Sequence, residues 1–462
     1  MKDWQPDISR GEGPVYERLV AVLESDVRTG RLAPGDRLPP HRDLAHRLSV
    51  SVGTVSRAYV EAERRGLVSS HVGRGSFVAE RAGPAPGENE TGVRDMARNV
   101  PPSEPAERRI AEALARVRHR ADLVLSMGYV PPEGALAIRR AGASWLRRRH
   151  GNVRATANRL IQCNGGQHGL ALAFSALARP GDTILCEAST YPGIRTIAEY
   201  AGFRLQGVAM DAHGIDPEAI GRCARETGAK VLALIPTLQN PTTITLDAAR
   251  RDEIVAVARR HDLLIVEDEA YRVFADAGAP ASFSDLAPER SIMVAGISKS
   301  VAAGLRLGFL LPPDDAAIRD RLLLGIEAMG YCPPSLGGLV FSQWEEDGTA
   351  DAIAGDVIAE VRARTQLAQD ILGSALATPG ARQSLHVWMP MPILAAERLS
   401  ARALRGGIAL TPPDGPMADA AAPTGIRLCL GGIRARPVLE QALHEIKAML
   451  APGSGSEARG LV

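Results

Sequence analysis

The sequence predicts two units of different class: a small α+β unit of three helices and a β-hairpin, followed by a much larger α/β unit on a mostly parallel sheet with a smaller C-terminal subdomain. Three observations predict it. Residues 14 to 79 run through three stretches of helical apolar spacing and then alternate around Gly73-Arg74-Gly75. From Asp95 onward, near-continuous apolar runs alternate with helical patterns, as in strands covered on both faces. Between them, a stretch rich in Gly, Pro and Glu has little to bury. The expected bounds are 12–80 for the first unit, 81–94 for a linker, and 95–452 for the second, with its subdomain over roughly 345–452. A chain of 462 residues exceeds one hydrophobic core, so two units are also what length demands.

Val15 to Arg28 places Val15, Leu19, Val22, Leu23 and Val27 on one helical face, and Gly30 with Pro34-Gly35 ends the helix. His41 to Leu48 and Gly53 to Arg65 form two further helices across the short turn Ser49–Val52, and Gly66 closes the second. That arrangement presents its second helix to a DNA major groove. Leu67 to Val78 then forms a hairpin wing, which makes the unit a winged helix-turn-helix. Ten Arg against seven Asp and Glu between Pro14 and Ala79 suit a nucleic-acid partner.

In the larger unit the strand-like runs are Thr183–Cys186, Val231–Ile235, Leu263–Val266, Ser291–Ala295 and Leu307–Leu311. Ligands of open α/β sheets sit beyond the strands' carboxyl ends. Tyr191, Asn240, Asp268 and Lys299 all follow such runs. Lys299 gains weight from scarcity: the only lysines are Lys2, Lys230, Lys299 and Lys447, and a Schiff base requires a primary amine, which arginine lacks. Pyridoxal 5′-phosphate (PLP) needs what the others offer. Lys299 forms the internal aldimine, Asp268 holds the pyridine nitrogen protonated, Asn240 or Tyr271 donates to the phenolate oxygen, and Tyr191 stacks on the ring. Gly165-Gly166-Gln167 precedes a helix and offers N–H groups to the phosphate, with Arg306 as its charged partner.

Composition excludes several classes. A formal charge of +1 and 45% hydrophobic residues are ordinary for a globular protein. Cys163, Cys186, Cys223, Cys332 and Cys429 are scattered with no Cys-x-x-Cys pair, so neither a disulfide framework nor a metal site is expected. No apolar run reaches membrane length and the N-terminus lacks a signal peptide's apolar core, so no membrane partner and a cytoplasmic location are expected.

Both halves carry family motifs. Tyr16, Leu32, Pro34-Gly35, Leu38-Pro39, Arg42, Leu44-Ala45, Thr54-Val55, Arg57-Ala58-Tyr59 and Gly73-Arg74-Gly75 resemble the GntR-type winged helix. Tyr129 with Gly134, Gly165-Gly166-Gln167, Tyr191-Pro192-Gly193, Asn240-Pro241-Thr242, Asp268 with Tyr271, Ser298-Lys299-Ser300, Arg306 and Arg427-Leu428 resemble a fold-type I aminotransferase domain. Together they are similar to the MocR subfamily of bacterial transcription regulators. The resemblance implies that Arg42, Thr54, Arg57 and Arg74 meet a double-stranded DNA operator. It further implies a homodimer with PLP sites at the subunit interface, where Tyr129 of one chain approaches the phosphate held by the other, and an Arg427 that binds the carboxylate of an effector or substrate. His386 and Trp388 are weaker candidates for the same pocket. One departure is Thr243, where aminotransferases usually have glycine.

Two functions follow. In the first, a PLP-dependent regulator senses an amino compound or vitamin B6 status. In the alternative, the chain is an active aminotransferase carrying a DNA-binding head. The retained arginines of the head favour the regulator, with residual transamination compatible with the intact chemical groups.

Overall fold

The computed structural model describes residues 4–8, 14–28, 31–33, 35–64, 67–71, 75–78, 92–276, 278–378 and 380–450. The chain divides into two compact units, 1–92 and 93–462. The first contains α1 (Val15–Arg28), α2 (His41–Arg47), α3 (Val52–Arg64) and an antiparallel pair, β1 (Val68–His71) with β2 (Gly75–Val78). Its core gathers one apolar face from each element: Leu19 and Leu23 from α1, Leu44 from α2, Val55 and Tyr59 from α3, and Val68 and Val78 from the hairpin. Trp4 completes that core and donates its indole N–H to Asp26 at 2.9 Å. Each large side chain so buried contributes about 1.5–3 kcal/mol, which a core this small needs.

The second unit opens with β3 (Arg94–Met96). The expected linker extends through Arg94; in the structure Arg94 is already strand, ion-paired with Glu445 at 2.7 Å. Seven strands build the central sheet: β4 (Ile161–Cys163), β5 (Thr183–Glu187), β6 (Arg204–Val208), β7 (Val231–Leu234), β8 (Leu264–Asp268), β9 (Ser291–Gly296) and β10 (Gly308–Leu311). Their order is β4-β10-β9-β8-β7-β5-β6. Only β10 runs against its neighbours, so the sheet is mostly parallel as its apolar runs require. Strands β4 and β6 were not expected.

The smaller lobe pairs β11 (His386–Pro390) antiparallel with β13 (Gly425–Cys429), placing Trp388 opposite Arg427. It also pairs β3 parallel with β12 (Ile408–Leu410). Helices 349–372, 393–405 and 436–450 cover these strands, burying Leu399, Leu439 and Leu443 beside Met96. Among the described residues, no helix is long and apolar enough to cross a membrane.

Candidate cofactor pocket and DNA-contacting helix

Parallel strands bring their carboxyl ends to one edge, and that edge holds a cavity of about 510 Å³. Gly166, Gln167, Tyr191, Asp268, Tyr271, Ser298, Lys299, Arg306 and Arg427 all line it. Asn240 stands immediately behind, joined to Tyr271 and Arg427.

Lys299 follows β9. Burial pulls its ammonium down to about 8, with Cys429 and Asp268 pulling the other way. Its Nζ donates to the Asn99 carbonyl. Asp268 ends β8, and burial pushes its carboxyl up to about 6 while the Ala270 N–H and Lys299 oppose the shift. A more basic carboxylate is the better partner for a protonated pyridine nitrogen. Burial also raises the Tyr271 phenol, which therefore stays a donor. Its oxygen accepts from Asn99 Nδ2 at 3.0 Å and Asn240 Nδ2 at 3.3 Å, leaving its own proton for a ligand.

Arg427 is 6% exposed, and its acceptors are all neutral: Asn240 Oδ1 at 2.6 Å, Ala97 O at 2.8 Å and Thr411 Oγ1 at 3.0 Å. Among the described residues it pairs with no carboxylate. A buried cation without a counterion is costly, and an anionic ligand removes that cost.

A candidate phosphate cradle lies where helix α4 (Gly165–Leu177) begins. The first N–H groups of a helix have no partner within it and carry its positive dipole end. Gly165 has φ +78°, and a Cβ there would lie 2.9 Å from the Arg306 guanidinium, so only glycine lets that arginine close over the turn. Arg306 also donates to Asn164 O at 3.0 Å. Ser298 Oγ is buried with no hydrogen-bond partner, a hydroxyl left over for a ligand oxygen. These donors fit the phosphate of PLP, and Asp268, Tyr271 and Lys299 fit its ring nitrogen, phenolate and aldehyde.

Tyr129 is 82% exposed and stacks edge-on against Tyr331, with centroids 4.7 Å apart; it lies outside the pocket lining. His386 stands behind the pocket wall, held neutral by burial, accepting from Asn99 Nδ2 at 2.9 Å and donating to Gln239 O. Trp388 lines a different cavity, with Thr243 and Gln383. Thr243 takes φ +64° without glycine, a conformation a β-branched residue adopts only under strain. Sequence reasoning missed Asn99, Thr411 and the carbonyl of Ala97. Only the third dimension joins them to Lys299 and Arg427.

In the smaller unit, Arg42 is exposed on α2 and Arg57 on α3. Arg57 lies 4.1 Å over the Tyr16 ring, a cation–π contact that fixes its stem. Thr54 sits in the first turn of α3, its N–H and hydroxyl both bonded to Ser51 Oγ. Arg74 lies outside the described residues, as do the hairpin tip and residues 79–91.

The fold and this pocket define a PLP-dependent domain of the aminotransferase type, carried by a chain that also holds a helix-turn-helix. The chain belongs to the aminotransferase class I and II family, whose profile matches residues 92–436, and its head matches the bacterial regulatory proteins of the gntR family over 15–78. This pairing is the MocR-type architecture of PLP-dependent transcription regulators. Among its relatives is the uncharacterized HTH-type transcriptional regulator YdeF of Bacillus subtilis, 30% identical over 67% of either chain. Another is the HTH-type pyridoxine biosynthesis transcriptional regulator PdxR of Corynebacterium glutamicum, 28% identical over 67% of this chain and 68% of that one. The larger unit shares its fold with the α-aminoadipate aminotransferase LysN of Thermus thermophilus: TM-score 0.67, 24% identity, 78% of this chain and 94% of that one.

Proposed function

We propose that this regulator binds a double-stranded operator through its winged helix and changes that binding when an amino compound enters the PLP pocket. The observation that carries the reading is Arg427, a buried guanidinium with no carboxylate partner among the described residues. An α-carboxylate would take its planar fork bidentately. A ligand shifts the protein between states only through different affinity for each, and displacing the Ala97 carbonyl from Arg427 supplies such a difference.

When bound, PLP supplies an aldehyde that condenses with primary amines and a ring that accepts electrons. Lys299 would hold the aldehyde carbon. Asp268 would keep a proton on the pyridine nitrogen, Tyr271 with Asn240 would set the proton at the phenolate oxygen, and the Tyr191 ring would cover one face. Ser298, Arg306 and the N–H groups of Gly166 and Gln167 would hold the phosphate. On the DNA side, Arg42, Thr54, Arg57 and Arg74 would contact the operator, the arginines through phosphate or guanine edges.

A homodimer in the cytoplasm completes the reading. Val124, Leu125, Met127, Tyr129 and Tyr331 are exposed apolar side chains of the kind a second copy covers, and Tyr129 would then approach the partner's phosphate cradle. The pyridoxine-biosynthesis role in the C. glutamicum relative's name favours a second reading in which PLP itself is the signal. Fragment selection from genomic DNA with the purified protein, with PLP and with PLP plus amino acids, tests both. Amino-acid-dependent affinity supports the first reading; a response to PLP alone supports the second. Rapid multiple turnover with an amino acid and an oxo acid would overturn both in favour of an aminotransferase.

A further inference from the structure

None of the roles above uses Arg98, which also lines the pocket. The lining carries four cationic side chains, Arg98, Lys299, Arg306 and Arg427, and one anionic side chain, Asp268. When PLP is held as described, Lys299 is matched with the aldehyde, Arg306 with the phosphate and Asp268 with the pyridine nitrogen. Two guanidinium groups remain. An effector's α-carboxylate satisfies Arg427 and leaves Arg98 unmatched.

Arg98 makes no side-chain hydrogen bond or ion pair with any described residue. Its neighbours along the chain do: Arg94 pairs with Glu445 at 2.7 Å, and Arg109 pairs with Asp356 at 2.9 Å. Nor is Arg98 on a loose segment. Asp95 Oδ1 accepts the N–H groups of Ala97 at 2.9 Å and Arg98 at 3.0 Å, which fixes the turn. Arg427 grips the carbonyl of Ala97, the residue immediately before Arg98. Arg98 is exposed to solvent, and it lines the same cavity of about 510 Å³ as Arg427, so one small ligand can meet both guanidinium groups.

Resting on the amino-compound reading above, we infer that the effector is an amino diacid of short chain. Its α-carboxylate pairs with Arg427 and its second acid group, at the end of the side chain, pairs with Arg98. A neutral side chain forgoes the second pair, and a cationic one meets like charge.

Calorimetric titration of the PLP-loaded full-length protein tests this with isosteric pairs: L-glutamate against L-glutamine and L-aspartate against L-asparagine, with L-ornithine as the cationic comparison. At least one acid is expected to bind about tenfold tighter than its amide, what one charge-assisted pair contributes. Arg98→Gln is expected to bring acid and amide level, and Arg98→Glu to place L-ornithine above L-glutamate. Arg427→Gln is expected to weaken acid and amide together. A preference under about threefold in the parent, or one that survives Arg98→Gln, overturns the diacid inference and leaves the amino-compound reading standing. Failure of every amino acid to bind overturns that reading instead.

Discussion

If PLP attaches to Lys299 as proposed, its loading should follow a pH dependence set by the pocket. Only the neutral amine attacks an aldehyde, and burial lowers this ammonium from 10.5 to about 8. At pH 7 the neutral fraction is therefore about 9%, against about 0.03% for an ordinary lysine, a gain of about 300-fold. Stopped-flow mixing of apoprotein with PLP, followed in the near-ultraviolet and visible, reads the loading rate directly. Between pH 7 and 8 the rate should climb with the neutral fraction, and near pH 9 it should level off. Below pH 7, protonation of Asp268, whose carboxyl is pushed up to about 6, steepens the fall. Lys299→Ala should show no stable band, and borohydride should fix the cofactor of the parent on Lys299 alone. A rate that keeps rising tenfold per pH unit through pH 10 would refute the desolvated-lysine argument, and an adduct on Lys230 or Lys447 would refute the site.

Arg427→Gln should retain PLP yet abolish amino-acid-induced changes in cofactor absorbance and DNA affinity; a parent-like response would place the carboxylate site elsewhere. Gly308→Ala puts a Cβ 2.9 Å from the Gly165 backbone and 3.0 Å from Cys163 Sγ. The backbone cannot yield cheaply, so about 1–3 kcal/mol of stability should be lost together with PLP affinity, as thermal unfolding with and without cofactor will show. Arg42→Ala should weaken operator binding while leaving the cofactor spectrum intact; if the contact is to phosphate, the salt slope of log K falls by about one. Unchanged affinity would remove Arg42 from the interface.

Much of this was legible because it is local. The α1 helix runs over Val15–Arg28 as its apolar spacing predicts, and five of the seven strands of the large sheet coincide with apolar runs. Strand β4 escaped notice because Ile161-Gln162-Cys163 is three residues long and buries a polar side chain at its centre. Strand β6 escaped because Arg204–Val208 is an edge strand, half-exposed and broken by Gly207. The pocket's strand-end residues could be read from position alone. Asn99 could not: its bonds to Tyr271, Lys299 and His386 span 172, 200 and 287 positions. Strand β3 belongs to the same category, since Arg94–Met96 has no apolar run to mark it and acquires its partner from Ile408–Leu410.

That β3–β12 pairing orders events during synthesis. The winged helix closes its core with contacts among residues 4 to 78 and can fold once that stretch clears the ribosome. The smaller lobe cannot, because its first strand waits for a partner more than 300 positions downstream, and loop closure over such a span is slow. Every newborn chain thus passes through an interval in which the DNA reader is finished and the lobe carrying Arg427 is not. Truncation anywhere before Ile408 would make that interval permanent, yielding a winged helix without the proposed carboxylate site.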